Sequence, residues 1–286
     1  MKDSKPQFAV IGHPVDHSRS PEIHTAFAQQ TKIELSYERL DAQPAAFETC
    51  VEQFFAQGGR GLNVTVPFKE RAWQLAQSNL SERAKLAGAV NTLWTSLEGI
   101  HGCNTDGVGL VRDLQRLALL APNARVLLLG AGGAAKGVIG PLLEIGCRHL
   151  HVANRTADRA HALRQAWLAH QPAASSCLTA GAIAADLTDQ TWDLVINATA
   201  SSLQGEALAL PAGLYDKTTG AYDMMYGPQT TAFLKQASQQ GVTRMADGLG
   251  MLVGQAAESF RIWHGVLPEV TPVIDALRIQ MSSAVR

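Results

Sequence analysis

One turn constrains this chain more than any other stretch. In RVLLLGAGGAAKG (125–137) an apolar run meets Gly130-x-Gly132-x-x-Ala135 and passes straight into a segment of helical period. Gly130 suits the tight turn, Gly132 lets backbone approach a pyrophosphate, and Ala135 lets the helix pack closely on the strand. The start of such a helix offers unpaired N–H groups and the positive end of its dipole to phosphates. Glycines between a strand and a helix can also be simple punctuation. In this context the turn predicts a parallel-sheet unit with Gly130, Ala131, Gly132, Gly133 and Ala134 against a dinucleotide.

The surrounding chain has the alternation that such a sheet needs. RVLLLG, LHVANR, TWDLVINAT and GAYDMMY are predicted strands, and GAAKGVIGPLLEIG, ADRAHALRQAWLAH and TTAFLKQASQQG are predicted helices. Strand and helix alternating in this way imply βαβ units and a sheet covered on both faces. Upstream, QFAVIG, LSYERL and GLNVTVP read as strands, and 20–30, 45–59, KERAWQLAQ and LSERAKLAG as helices. Ser20 is the expected N-cap of the first helix, with Pro21 at its first position. A hairpin is expected around Leu97-Glu98-Gly99, then a helix over 107–120. PAASS (172–176) reads as a loop, and two helices with no strand after them close the chain.

The second strand of the later series indicates which dinucleotide. Sites for the unphosphorylated cofactor usually carry Asp or Glu at this strand tip, for the ribose 2′-hydroxyl. Here the tip reads Asn154-Arg155-Thr156, with Arg159 one helical turn on and Thr156 as expected N-cap. Two guanidiniums so spaced form a cradle for a phosphate. They could also be two exposed arginines on a surface helix. The cradle points to NADP.

Bulk properties exclude other classes. The 286 residues are 46% hydrophobic and 17% charged, with net charge −1. Such a chain buries sizeable cores, and it lacks the basic face that nucleic acid or an anionic membrane would select. No run of about eighteen apolar residues occurs to span a bilayer, and the opening MKDSKPQFAVIGHP is not expected to be a signal peptide. Cys50, Cys103, Cys147 and Cys177 lie far apart without a CxxC pair, which suits a reducing cytoplasm and predicts neither structural metal nor disulfides.

Chemistry in the first half is less self-evident. HPVDHSRSP (13–21) places Ser18 and Ser20 at the start of a helix, where hydroxyls and free amides suit a carboxylate, though Ser20 could be an ordinary cap. His13 and His17 read as loop residues, and His149 and His151 alternate along a strand as structural groups. In GLNVTVPFKER, Lys69 follows a strand and Pro67, and by itself it reads as solvated surface.

The motifs HSRSP, NVTVPFK, AGAVNT, NTDG, GAGGA, NRT, YDMMY and ADGLGMLVGQAA, in this order over about residues 8–268, resemble the shikimate dehydrogenases, NADP-dependent enzymes of aromatic amino-acid biosynthesis. The resemblance is to the biosynthetic branch, since the quinate/shikimate relatives tend to carry an acidic residue near position 155. It implies reversible reduction of the 3-keto group of 3-dehydroshikimate by NADPH, with Lys69 and Asp106 as the acid–base pair. It further implies that Ser18 and Ser20 bind the substrate carboxylate, and that Thr65, Asn91, Asp106 and Gln255 contact ring hydroxyls. Tyr226 and Gly248 fall where substrate and nicotinamide meet, and Thr199, Met224 and Met251 complete the cofactor residues. Read from the residues alone, Asn91 could close a turn and Gln255 could lie on an exposed helix face.

The expected fold is α/β in two domains. Residues 1–106 form a substrate-binding and catalytic domain and 107–247 a Rossmann NADP domain, with the helices of 248–286 returning to the first. The active site is expected in the cleft between the domains, with closure on cofactor binding. The partner is a small molecule, with neither nucleic acid nor membrane, and the chain is a monomer or homodimer. Ala200 and Ser202 in INATASSL, Ala232 in TTAFL and Cys103 depart from the family pattern. Competing readings are a quinate/shikimate dehydrogenase using either cofactor, a non-catalytic NADP sensor on this fold, and a Rossmann enzyme of folate or tRNA-linked substrates.

Overall fold

The computed structural model describes residues 5–199, 201 and 208–283. The chain divides into two compact units, one running up to Gly109 and including Val253–Ile274, the other spanning Leu110–Leu252 and the residues from Asp275 on. Ala200 and Ser202 lie outside the described residues.

In the first unit the elements are β1 (Gln7–Gly12), α1 (Ser20–Thr31), β2 (Ser36–Asp41), α2 (Phe47–Ala56), β3 (Gly59–Val64), α3 (Lys69–Leu75), α4 (Glu82–Ala87), β4 (Thr92–Ser96) and β5 (Gly99–Cys103). They form one sheet of order β2-β1-β3-β4-β5. The first three strands are parallel and β3-β4-β5 antiparallel, so the expected hairpin closes the sheet. Ile11, Leu62 and Leu93 of the strands pack with Phe47 and Phe68, whose rings stack at 4.5 Å. α5 (Asp106–Arg116) then leads towards the second unit. It stops short of the expected 120 because Ala118 takes a left-handed φ of 52°.

The second unit contains β6 (Arg125–Leu129), α6 (Gly133–Glu144), β7 (His149–Asn154), α7 (Ala157–His170), β8 (Leu178–Ala182), β9 (Leu194–Asn197), β10 (Gly220–Asp223), α8 (Ala232–Gln239) and β11 (Arg244–Asp247). Its six strands are all parallel, in the order β11-β10-β9-β6-β7-β8. Numbered from β6 this is 3-2-1-4-5-6, the doubly wound dinucleotide-binding order. The sequence pattern predicts neither β8 nor β11, and PAASS, expected as a loop, is a short 3₁₀ helix (Pro172–Ser176). Ala232 begins α8 without difficulty, because the Thr231 hydroxyl caps the Leu234 N–H. α9 (Leu249–His264) and α10 (Thr271–Ser283) complete the chain.

Ser20 is not the N-cap of α1. Arg19 holds that place, with no side-chain cap bond, and Ser20 is the first helical residue. Its hydroxyl is therefore not spent on a helix end.

His24 on α1 is fully buried, stacked on Tyr37 with ring centroids 4.3 Å apart and flanked by Phe260 and Trp263 of α9. Neither ring nitrogen makes a hydrogen bond of normal geometry. Burial pushes its pKa down to about 3, against the opposing effect of the Asn63 amide. The unfolded chain thus binds this proton before the folded one does, and folding stability should fall as pH drops from about 6.5 towards 3. Denaturant midpoints across that range should show this slope, and it should flatten in His24→Phe.

Candidate active site

α3 and α5 each begin with a residue of the expected acid–base pair. The β3–α3 connection is tied to β1 by two backbone bonds, Thr65 N–H to the Ile11 carbonyl (2.9 Å) and His13 N–H to the Val66 carbonyl (3.1 Å). Lys69 follows as the first residue of α3, half-buried, and its Nζ donates to Asp106 Oδ2 at 2.7 Å. Asp106 opens α5, where its charge complements the positive helix end, and Asn104 Oδ1 accepts its backbone N–H at 3.0 Å.

Asn91 joins this pair from the position just before β4. Its Nδ2 donates to Asp106 Oδ1 (2.8 Å) and Thr105 Oγ1 (2.9 Å), and lies 3.3 Å from Gln255 Oε1 on α9. Lys69, Asp106, Asn91 and Gln255, from four parts of the chain, thus form one hydrogen-bonded group. The carboxylate is held at both oxygens, by an ammonium at one and an amide at the other. Such an arrangement can deliver a proton from nitrogen while the carboxylate fixes where that nitrogen points.

Ser18 and Ser20 form a separate cluster at the start of α1, with hydroxyls 3.2 Å apart and Ser20 N–H donating to Ser18 Oγ at 3.3 Å. Arg39 on β2 clamps this turn, donating through two nitrogens to the Ser18 carbonyl at 3.0 and 2.6 Å and pairing with Glu22. Sequence reasoning gave Arg39 no role, since a lone arginine on a strand carries no motif. The Thr65 hydroxyl makes no hydrogen bond among the described residues.

In the second unit the glycine turn lies at the point where strand order reverses, between β6 and β9. Gly130 has φ of 109°, and a Cβ there would come within 3.0 Å of Thr199 and 3.2 Å of the Ala198 backbone. Gly132 is different: its φ is −89° and a Cβ would meet no protein atom within 4 Å. Neither backbone nor packing demands glycine there, so the bare turn fits a group approaching from outside the chain. Ala131, Gly133 and Ala134 continue this turn into α6.

β7 ends at Asn154, whose Nδ2 donates to the Thr156 carbonyl at 2.9 Å. Thr156 is the N-cap of α7 by position, without a side-chain cap bond. Arg155 and Arg159 are exposed, and neither guanidinium has an ion-pair or hydrogen-bond partner among the described residues. No carboxylate stands at the strand tip. The residues present fit a dinucleotide carrying a 2′-phosphate.

Thr199, Met224, Tyr226, Gly248 and Met251 all belong to the second unit. Two residues not singled out from sequence organise them. Asn197 and Asp223, fully buried at the ends of β9 and β10, share a hydrogen bond of 3.0 Å. Asn197 Oδ1 accepts from Thr199 Oγ1 (2.7 Å), and Asp223 Oδ1 accepts the Met225 N–H (3.0 Å). The only signal was a polar residue closing each apolar strand. A Cβ on Gly248 would fall 2.2 Å from the Met224 carbonyl oxygen, so only glycine permits this approach. Met251 lies buried in the first turn of α9.

His149 and His151 both contact Thr179 Oγ1 on β8, at 2.7 and 2.8 Å, and serve to join strands. Cys103 is buried, and burial raises its thiol pKa. The cysteines are free thiols, and no group of three or more metal-ligating side chains occurs among the described residues. No helix among them is long and apolar enough to cross a membrane.

A doubly wound sheet with a bare glycine turn at its switch point, together with a unit holding a lysine–carboxylate pair, defines a two-domain α/β oxidoreductase of the dinucleotide-binding kind. Comparison with known proteins narrows this class. Residues 10–93 match the shikimate dehydrogenase substrate binding domain, 115–204 the shikimate / quinate 5-dehydrogenase family, and 248–278 the shikimate 5'-dehydrogenase C-terminal domain. The chain is 59% identical over 273 residues to the shikimate dehydrogenase (NADP(+)) of Bordetella petrii, covering 96% of this chain and 95% of that relative. It is 52% identical to the protein of the same name from Aromatoleum aromaticum, covering 96% and 98%. A crystal structure of shikimate 5-dehydrogenase from Thermus thermophilus in complex with NADP(H) and shikimate superposes with a TM-score of 0.83 at 33% identity, covering 96% of this chain and 99% of that one. The chain belongs to the shikimate dehydrogenase family.

Proposed function

We propose that the protein catalyses the reversible, NADPH-dependent reduction of 3-dehydroshikimate to shikimate in aromatic amino-acid biosynthesis. The observation that carries the chemistry is the 2.7 Å contact of Lys69 Nζ with Asp106, with Asn91 at the other carboxylate oxygen. Bound NADPH supplies the hydride. Reduction builds negative charge on the carbonyl oxygen, and Lys69 gives that oxygen its proton; in the reverse direction the neutral amine takes it back. Asp106 orients the ammonium. Ser18 and Ser20 bind the substrate carboxylate, and Thr65, Asn91, Asp106 and Gln255 bind its hydroxyls; Tyr226 is a further substrate residue. Several convergent polar groups of this kind reject analogues that lack a hydroxyl.

Gly130, Ala131, Gly132, Gly133 and Ala134 would cradle the pyrophosphate, and Asn154, Arg155, Thr156 and Arg159 the 2′-phosphate. Thr199, Met224, Gly248 and Met251 would line the nicotinamide half. Residues 1–106 serve as the substrate domain and 107–247 as the cofactor domain; of the closing helices expected to return to the first, Val253–Ile274 group with it and the residues from Asp275 on with the second. The enzyme works in the cytoplasm as a monomer or homodimer. Loss of NADPH absorbance in the presence of 3-dehydroshikimate, with shikimate appearing in equal amount, tests the reading. Turnover of quinate at a comparable rate, or equal use of NADH, would favour the quinate/shikimate alternative. No turnover of any of these would leave the sensor reading.

A further inference from the structure

Beneath Lys69, Asp106 and Asn91 lies a layer of buried polar side chains, Asn63, Thr92 and Ser259, that take no direct part in the proposed chemistry. Buried hydroxyls and amides are costly unless satisfied. Here they satisfy one another, and the proton positions follow from chemistry. The Tyr37 hydroxyl is 2.6 Å from Asn63 Oδ1 and must donate, since an amide oxygen has no proton. That turns Asn63 Nδ2 inward, 3.0 Å from Ser259 Oγ and 3.4 Å from Thr92 Oγ1.

At the other end, the Thr105 N–H is 3.0 Å from Asn91 Oδ1, and an N–H needs an acceptor, which identifies the oxygen of Asn91. Thr92 Oγ1, 2.9 Å from the same oxygen, therefore donates to it. With the Thr92 proton committed, Ser259 is the donor across their 2.7 Å contact, shorter than its alternatives of 3.1 Å to the Gln255 carbonyl and 3.3 Å to Thr105 Oγ1. Asn91 Nδ2 is left to face Asp106 Oδ1. The donors then run one way, from Tyr37 through Asn63, Ser259, Thr92 and Asn91 to the carboxylate, where Lys69 arrives at the opposite oxygen. Hydrogen bonds aligned head to tail polarise and strengthen one another.

We propose that Thr92 and Ser259 are positioning residues: their hydroxyls hold the Asn91 amide with its nitrogen towards Asp106, and so hold Asp106 against Lys69. This deepens the proposed function and rests on its acid–base pair. Thr92→Val keeps shape and removes the donor, Thr92→Ser keeps the donor, and Ser259→Ala removes the preceding link.

Thr92→Val and Ser259→Ala should each lower kcat about tenfold, as members of one network couple at this level. KM for NADPH should stay unchanged, and Thr92→Ser should restore kcat. Labelling of Lys69 by an amine-reactive reagent at fixed pH, read by peptide mass spectrometry, should be several-fold faster in Thr92→Val, about as expected for a loosened partner. This second readout needs no turnover. Wild-type kcat and wild-type labelling in Thr92→Val would overturn the inference and leave the enzyme reading standing. A loss shared by Thr92→Ser and matched by a lower melting temperature would also overturn it, since packing would then be the cause. A changed labelling rate in a chain that turns over no 3-dehydroshikimate would sink the enzyme reading and uphold the positioning.

Discussion

Lys69→Ala is expected to lower kcat by about 10²- to 10⁴-fold, the usual contribution of a positioned general acid. Stability should hardly change, because Lys69 is a half-buried first residue of a helix and alanine is well tolerated there. Asp106 would keep its Asn91 and Asn104 partners, so the loss would be chemical in origin. Lys69→Arg sharpens the test. A guanidinium keeps the charge but does not deprotonate in proteins, so it can neither release nor recover the proton. Arginine should therefore fail almost as badly as alanine, in steady-state rates measured with saturating substrate. An arginine variant with near-normal kcat would reduce Lys69 to an electrostatic partner.

The double change Arg155→Ser, Arg159→Ser is expected to raise KM for NADPH at least about 100-fold, because each charge-assisted bond to a phosphate contributes roughly 1.5–3 kcal/mol. NADH, which lacks the 2′-phosphate, should bind the variant as it binds wild type. The contrast depends on both arginines having no partner within the described residues, so their removal strands no carboxylate. Equal losses with both cofactors would mean that the arginines act through the shape of the β7–α7 turn.

What could be read from the sequence divides along physical lines. RVLLLG and LVINAT were plain as strands because central parallel strands, covered on both faces, are nearly continuous apolar runs. β8 (LTAGA) and β11 (RMAD) escaped notice because they are the two edges of that sheet, short and only partly buried. Ser20 before proline has the pattern of a cap, yet the helix starts one residue earlier than that pattern implies. The glycine turn was legible because backbone geometry and phosphate approach restrict its residue types. Lys69 was not legible by itself, since its partner Asp106 stands 37 residues away and only the fold brings them together. The same holds for Thr92 and Ser259, separated by 167 residues and unremarkable in composition.

The most direct measurement is the fate of the hydride. NADPH deuterated at both C4 positions of the nicotinamide, incubated with the protein and 3-dehydroshikimate, should yield shikimate carrying one deuterium at the carbon that bore the ketone. Mass spectrometry and NMR of the product would locate it. Unlabelled shikimate, or a label at another carbon, would contradict hydride transfer from NADPH to the 3-keto group.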